Sequence, residues 1–229
     1  MNGLSDRLRL IATLVPNGAR VCDVGADHGY LAAALHKSGR VGSVIATDLR
    51  ERPLAHAKQS LIRLGAEKVE LRLCDGLAAI KPGEADTIVI AGMGGEVIAG
   101  ILERAPFVKN PAILLLLQPM TSSWELRRYL LCNGFAIEKE PTLEENGKVY
   151  SVICARYDGV VRPADPFYCC IGKISAKSSS DFAYIRKQYK RCEQCACRLA
   201  AITGKEQEQR EYESVAARLK QILEEHHAI

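Results

Sequence analysis

Five consecutive aliphatic residues, Ile113-Leu114-Leu115-Leu116-Leu117, constrain the fold most, because a strand apolar at every position has no face to offer to water. Such a strand belongs in a sheet covered on both sides. It is one of several β-rich runs: Arg20 to Val24, Ser43 to Thr47, Val69 to Leu73, Asp86 to Ala91 and Ala112 to Gln118. Helical stretches near Tyr30 to Ser38, Pro53 to Leu64 and Gly94 to Arg104 separate them, and an opening helix has Ser5 as N-cap and Leu4, Leu8, Ile11 and Val15 on one face. Alternation of this kind predicts a doubly wound α/β domain built on a parallel sheet.

After a helix from about Ser122 to Cys132 the pattern changes to two β runs, Phe135 to Glu140 and Val149 to Arg156. The Asn146-Gly147 pair between them predicts that the two form an antiparallel hairpin closing the sheet. Asp158 to Pro166 reads as a linker, which divides the chain into a catalytic domain at 1–159 and a helical domain at 160–229. In the latter, Phe182, Ile185, Tyr189, Cys192, Ala196 and Leu199 form one stripe and Tyr212, Val215, Leu219 and Ile222 a second. Joined at Thr203-Gly204, these make an antiparallel, coiled-coil-like hairpin that could project about 30 Å.

No apolar run is long enough to span a membrane, and the start of the chain lacks secretory-signal features, so a cytoplasmic protein is expected. The nine cysteines lie mostly in apolar runs and read as reduced, buried small hydrophobes. Net charge is +4, of which residues 1–158 carry +1 (19 basic, 18 acidic) and residues 159–229 carry +3 (12 basic, 9 acidic). That bias is concentrated at Arg186, Lys187, Lys190 and Arg191.

The segment Asp23-Val24-Gly25-Ala26-Asp27-His28-Gly29-Tyr30-Leu31 follows a strand and opens a helix, where open α/β sheets bind ligands. Its glycines are four apart. Where a dinucleotide fingerprint needs its second glycine, this chain has Asp27, whose carboxylate would repel a pyrophosphate. A cationic cofactor is favoured instead, and S-adenosyl-L-methionine carries both a sulfonium and an ammonium. Asp23, Gly25, Ala26, Asp27, His28 and Tyr30 are the candidate contacts in the first loop, with Asp48 and Leu49 at the ribose and Asp75, Gly76 and Leu77 at the adenine. Ala91, Gly92, Met93, Gly94 and Gly95 follow the fourth strand, where the acceptor meets the methyl donor, and their glycines let a flat ring approach the backbone. No Asn or Asp stands there to orient an exocyclic amine, so the target is a nitrogen with a free lone pair. Adenine N1 fits. Asp27, His28, Met93 and Gly94 are the candidates at the reacting centre, with no general base assigned.

These blocks, with Leu4-Ser5-Asp6-Arg7-Leu8, Ala91-Gly92-Met93-Gly94-Gly95 and Leu117-Gln118-Pro119, resemble the bacterial tRNA (adenine-22-N1)-methyltransferase family across the catalytic domain and into a helical hairpin. The resemblance implies a Rossmann-like class I methyltransferase fold, folded tRNA as substrate and position 22 as target. It makes Arg7, Gly95, Gln118 and Pro119 candidate substrate contacts, while the basic cluster at Arg186, Lys187, Lys190 and Arg191 suits phosphate contact along the tRNA backbone. Cys192, Cys195 and Cys197 depart from the family's usual hairpin composition; on one helix they do not share a face, and no metal is expected. A monomer or weak homodimer is anticipated. Alternatives left open are another RNA, a protein or a small molecule as acceptor, or a non-catalytic binding module.

Overall fold

The computed structural model describes residues 4–226. A seven-stranded sheet runs in the order β3 (Glu70–Leu73), β2 (Ser43–Asp48), β1 (Arg20–Val24), β4 (Thr87–Gly94), β5 (Leu114–Thr121), β9 (Ile153–Tyr157), β6 (Phe135–Lys139). Neighbours from β3 through β5 pair in parallel, and β9 runs antiparallel to both β5 and β6. The Rossmann-like expectation holds.

Alternate residues of each central strand serve opposite cores, which is why the sequence runs are continuously apolar. Ile88, Ile90, Leu115 and Leu117 pack toward α4 (Gly95–Glu103) and α5 (Ser123–Cys132), through Ile98, Leu102, Leu126 and Leu130. Val89, Leu114 and Leu116 pack toward α1 (Asp6–Leu14), α2 (Tyr30–Lys37) and α3 (Glu51–Leu64), through Ile11, Leu31 and Leu61. Ser5 caps α1 by accepting from the Leu8 amide.

The expected antiparallel pairing holds, β6 running antiparallel to β9, and only the connection between the two runs needs correction. Asn146 and Gly147, both at positive φ (52° and 70°), do form a two-residue turn, but it joins β7 (Thr142–Glu145) to β8 (Lys148–Ser151) in a small separate sheet. The expected second run, Val149 to Arg156, breaks at Val152, and its second half enters the main sheet between β5 and β6. Ile153, Cys154 and Ala155 are fully buried there, which explains the choice of position.

The tail holds a short α6 (Pro166–Ile171) and two long helices, α7 (Ser179–Leu199) and α8 (Glu206–Glu225). Ile185, Cys192, Val215 and Leu219 are buried as the stripes require, yet the pair does not project alone. Val149 of β8 and Trp124 of α5 join the same core, and Thr142 of β7 hydrogen-bonds Asp181 at 2.6 Å. No helix among the described residues is long and apolar enough to cross a membrane.

The tail is anchored on an ion pair of the first part whose side chains have no exposure, Arg127 of α5 with Glu140 just beyond β6. Arg127 also donates to the carbonyls of Cys169 (2.9 Å) and Cys170 (2.7 Å) and to the Tyr184 hydroxyl (2.8 Å). Removing one charge leaves the other buried and unpaired, so Arg127→Met is expected to cost about 3–5 kcal/mol in urea unfolding, whereas Arg127→Met with Glu140→Met loses distinctly less.

Candidate functional site

The loop after β1 is held by its neighbour: the amides of Gly25 and Ala26 both donate to the Thr47 carbonyl, at 2.8 and 3.0 Å. The chain then turns sharply, with φ +72° at Gly25 and +47° at Asp27. Asp27 tolerates the left-handed region better than most side chains, which pay about 1–2 kcal/mol there. The turn bounds a cavity of about 250 Å³ lined by Arg7, Leu8, Asp23, Gly25, Ala26, Asp27, His28, Tyr30, Leu31, Ala91 and Gly92.

Asp23 is 4% exposed, and burial pushes its carboxyl up to about 7. The His28 ring stacks on Tyr30 at 5.6 Å and lies nearly parallel to His56 of α3 at 5.8 Å, while its Nε2 sits 3.7 Å from an Asp27 carboxylate oxygen. His56 was not named from sequence, and Leu8 was read there only as part of an apolar face and a motif, not as a site residue. Leu8 lies on the α1 apolar stripe, which hinted at it; His56 gave no local signal.

The remaining cofactor candidates lie along the neighbouring strand ends and do not line this cavity. Asp48 is buried at the end of β2 and accepts from the Arg50 amide at 2.9 Å, and Leu49 beside it is 65% exposed. The Asp75 carboxylate is engaged by Arg104 at 3.3 Å, a partner the sequence did not reveal. The Gly76 carbonyl accepts from the Thr47 hydroxyl at 3.1 Å, and the Leu77 side chain belongs to the core.

Met93 bridges the cofactor loop and the acceptor turn, since a Cβ on Gly25 would stand 2.1 Å from the Met93 terminal methyl. Gly95 must lack a side chain because its Cβ would meet the Ser122 carbonyl oxygen at 2.0 Å, whereas a Cβ on Gly94 would stand 3.2 Å from the Thr121 hydroxyl oxygen. Gln118 has no exposure: its Oε1 accepts from the Gly92 amide (3.1 Å) and the Arg7 guanidinium (2.6 Å), and its Nε2 donates to the Pro119 carbonyl (3.0 Å). Gln118 thus braces the acceptor turn. Pro119 is buried, and Met120 and Thr121 are the exposed residues at this strand end. Of the α7 cluster, Lys187 and Arg191 line a different cavity, and Arg186 and Lys190 line neither.

Among the described residues this cavity is lined by the carboxylates of Asp23 and Asp27, and its Arg7 guanidinium is hydrogen-bonded to Gln118. With Gly25 and Gly92 leaving the backbone bare, these residues fit a cationic cofactor and disfavour a pyrophosphate.

Residues 4–153 match the model of the family described as Methyltransferase domain. The tRNA (adenine(22)-N(1))-methyltransferase of Bacillus subtilis (strain 168) is 38% identical over 165 residues, covering 69% of each chain. This chain belongs to that family. Streptococcus pneumoniae Sp1610, solved in complex with S-adenosyl-L-methionine, aligns at TM-score 0.80 and 32% identity over 96% of this chain and 99% of that one. The B. subtilis m1A22 tRNA methyltransferase TrmK aligns at TM-score 0.80 and 29% identity over 98% and 99%.

The raised Asp23 carboxyl predicts a pH dependence. Between about pH 4 and about 7 the fold holds a proton that the unfolded chain has lost, so stability falls across that window and levels off above it. Asp23→Asn should remove this component from urea unfolding measured at pH 5 and pH 8. In the intact enzyme, affinity for S-adenosylmethionine should climb as pH rises to about 7 and then plateau, because a cation favours the ionised carboxylate.

Proposed function

We propose that this chain transfers the methyl group of S-adenosylmethionine to N1 of adenine 22 in tRNA, with 1–159 as the catalytic part and 160–229 as a helical part that meets the RNA. The observation that carries the reading is the acidic crevice at Asp23 and Asp27 beside a glycine turn that offers no carboxylate or carboxamide of its own.

When bound, S-adenosylmethionine supplies an electrophilic methyl on a cationic sulfur. Asp23, Gly25, Ala26, Asp27, His28 and Tyr30 hold it from the β1 loop, Asp48, Leu49, Asp75, Gly76 and Leu77 from the next strands, and Ala91, Gly92, Met93 and Gly94 from the acceptor side. Asp75 exchanges Arg104 for the ligand. Adenine N1 attacks with its own lone pair, and no proton has to leave first. The chain's task is therefore positioning and electrostatics. Gly92 and Gly94 admit the ring edge, Gln118 keeps the turn fixed, and Asp27 with His28 and Met93 confines the approach. The Asp23 and Asp27 carboxylates would hold the cationic donor in the cavity they line. Arg7, Gly95 and Pro119 border the acceptor's path.

This reading places the enzyme in the cytoplasm, with tRNA as its partner and a monomer or weak homodimer as its working state. Incubation with labelled cofactor and unmodified tRNA should put label into the tRNA, and reverse transcription should then arrest at position 22, because an N1 methyl blocks the Watson–Crick edge. Label in tRNA without arrest at that adenine would overturn the assignment of the atom, and no label would overturn the substrate.

A further inference from the structure

A second cavity, of about 330 Å³, lies where α7 packs against β8 and the start of α5. It shares no lining residue with the cofactor cavity, yet it touches the acceptor turn through Thr121, the strand partner of Gly94.

Its walls carry positive charge and hydroxyls. Lys187 and Arg191 line it from α7, four residues apart and so on one helix face, while Lys190 does not line it. Ser122 and Ser123 enter from the start of α5, where Ser122 makes no side-chain hydrogen bond to the helix. Among the described residues neither Lys187 nor Arg191 belongs to an ion pair; the Lys187 ammonium donates to the Val149 carbonyl at 3.3 Å. Burial, Arg191 and Lys148 together depress the Lys187 ammonium below its usual range. This is a concentration of cations without a counter-anion. The positive end of α5 adds to it.

We propose that this cavity seats a phosphate group, held by Lys187 and Arg191 with the hydroxyls of Ser122 and Ser123. Resting on the tRNA reading, the group is a backbone phosphate of the RNA close to the methylated nucleotide: a base lodged at Gly92 and Gly94 carries its sugar and phosphate out past Thr121. An inorganic phosphate or phosphorylated small molecule presents the same chemistry. Four basic residues marked this helix in the sequence; the fold selects two of them.

The test uses the full chain in three forms: wild type, Lys187→Gln with Arg191→Gln, and the charge-preserving Lys187→Arg with Arg191→Lys. Each is titrated calorimetrically with inorganic phosphate, with unmodified tRNA across a salt series, and with S-adenosylmethionine as a check on folding. The neutral double variant is expected to lose phosphate binding at least about tenfold and to show a tRNA salt slope shallower by about one unit, while the charge-preserving variant stays near wild type. A shallower slope without measurable phosphate heat supports the RNA source. Phosphate binding lost with the slope unchanged supports the anion site and overturns the RNA as its source. Equal phosphate affinity and equal slope in all three forms overturn the proposal. Should wild type fail to methylate tRNA, the function falls while the phosphate titration still decides the cavity.

Discussion

A guanidinium withdrawn from water must find hydrogen-bond acceptors for its donors, and Arg127 finds them in Glu140, two carbonyls of α6 and a hydroxyl of α7. Four elements are thereby fixed to one point. The packing leaves no slack: a Cβ on Gly172 would stand 2.0 Å from a Glu140 oxygen and 2.7 Å from Arg127 Nε. Composition places a linker at Asp158 to Pro166, but the part beyond it supplies three of this guanidinium's acceptors and, with Val149 and Trp124, shares a hydrophobic core with the part before it. Cutting the chain there would strip Arg127 of three acceptors. The same anchorage keeps α7 beside β8 and so creates the cationic cavity next to the acceptor turn.

At the sheet edge the governing constraint is charge. The order β2, β1, β4 reverses direction of winding at β1, which opens a crevice at the carboxyl ends of adjacent strands. In many folds that crevice receives an anion. Here Asp23 and Asp27 reverse its sign, and a carboxyl as buried as Asp23 is poised to ionise when a cation arrives.

The sheet was legible because each inner strand must satisfy two cores, which leaves an unmistakable run such as Ile113 to Leu117. The loop geometry around Gly25 was legible for a similar reason, since backbone turns announce themselves through glycine. Non-local choices were not. The antiparallel pairing of the run at Phe135 with the one ending at Arg156 was legible, but nothing nearby in sequence says that Asn146-Gly147 closes a separate β7–β8 sheet or that β9 also lies against β5. Side-chain alliances across the fold were equally silent: Arg127 sits in an Arg-Arg pair typical of a wet helix, Arg104 reaches Asp75 from another element, and His56 meets His28 only after α3 has packed. Cysteines as packing groups could be anticipated, and Cys170 and Cys192 meet in the helical core with sulfurs 3.8 Å apart.

Gln118 joins segments remote in sequence. Its side-chain oxygen receives the Gly92 amide and the Arg7 guanidinium together, so the acceptor turn is coupled to the first helix of the chain. The opening helix and the Gly92 turn therefore hold one another through a single carboxamide. A shift of α1 is thus transmitted, through Arg7 and Gln118, to the backbone at the carboxyl end of β4.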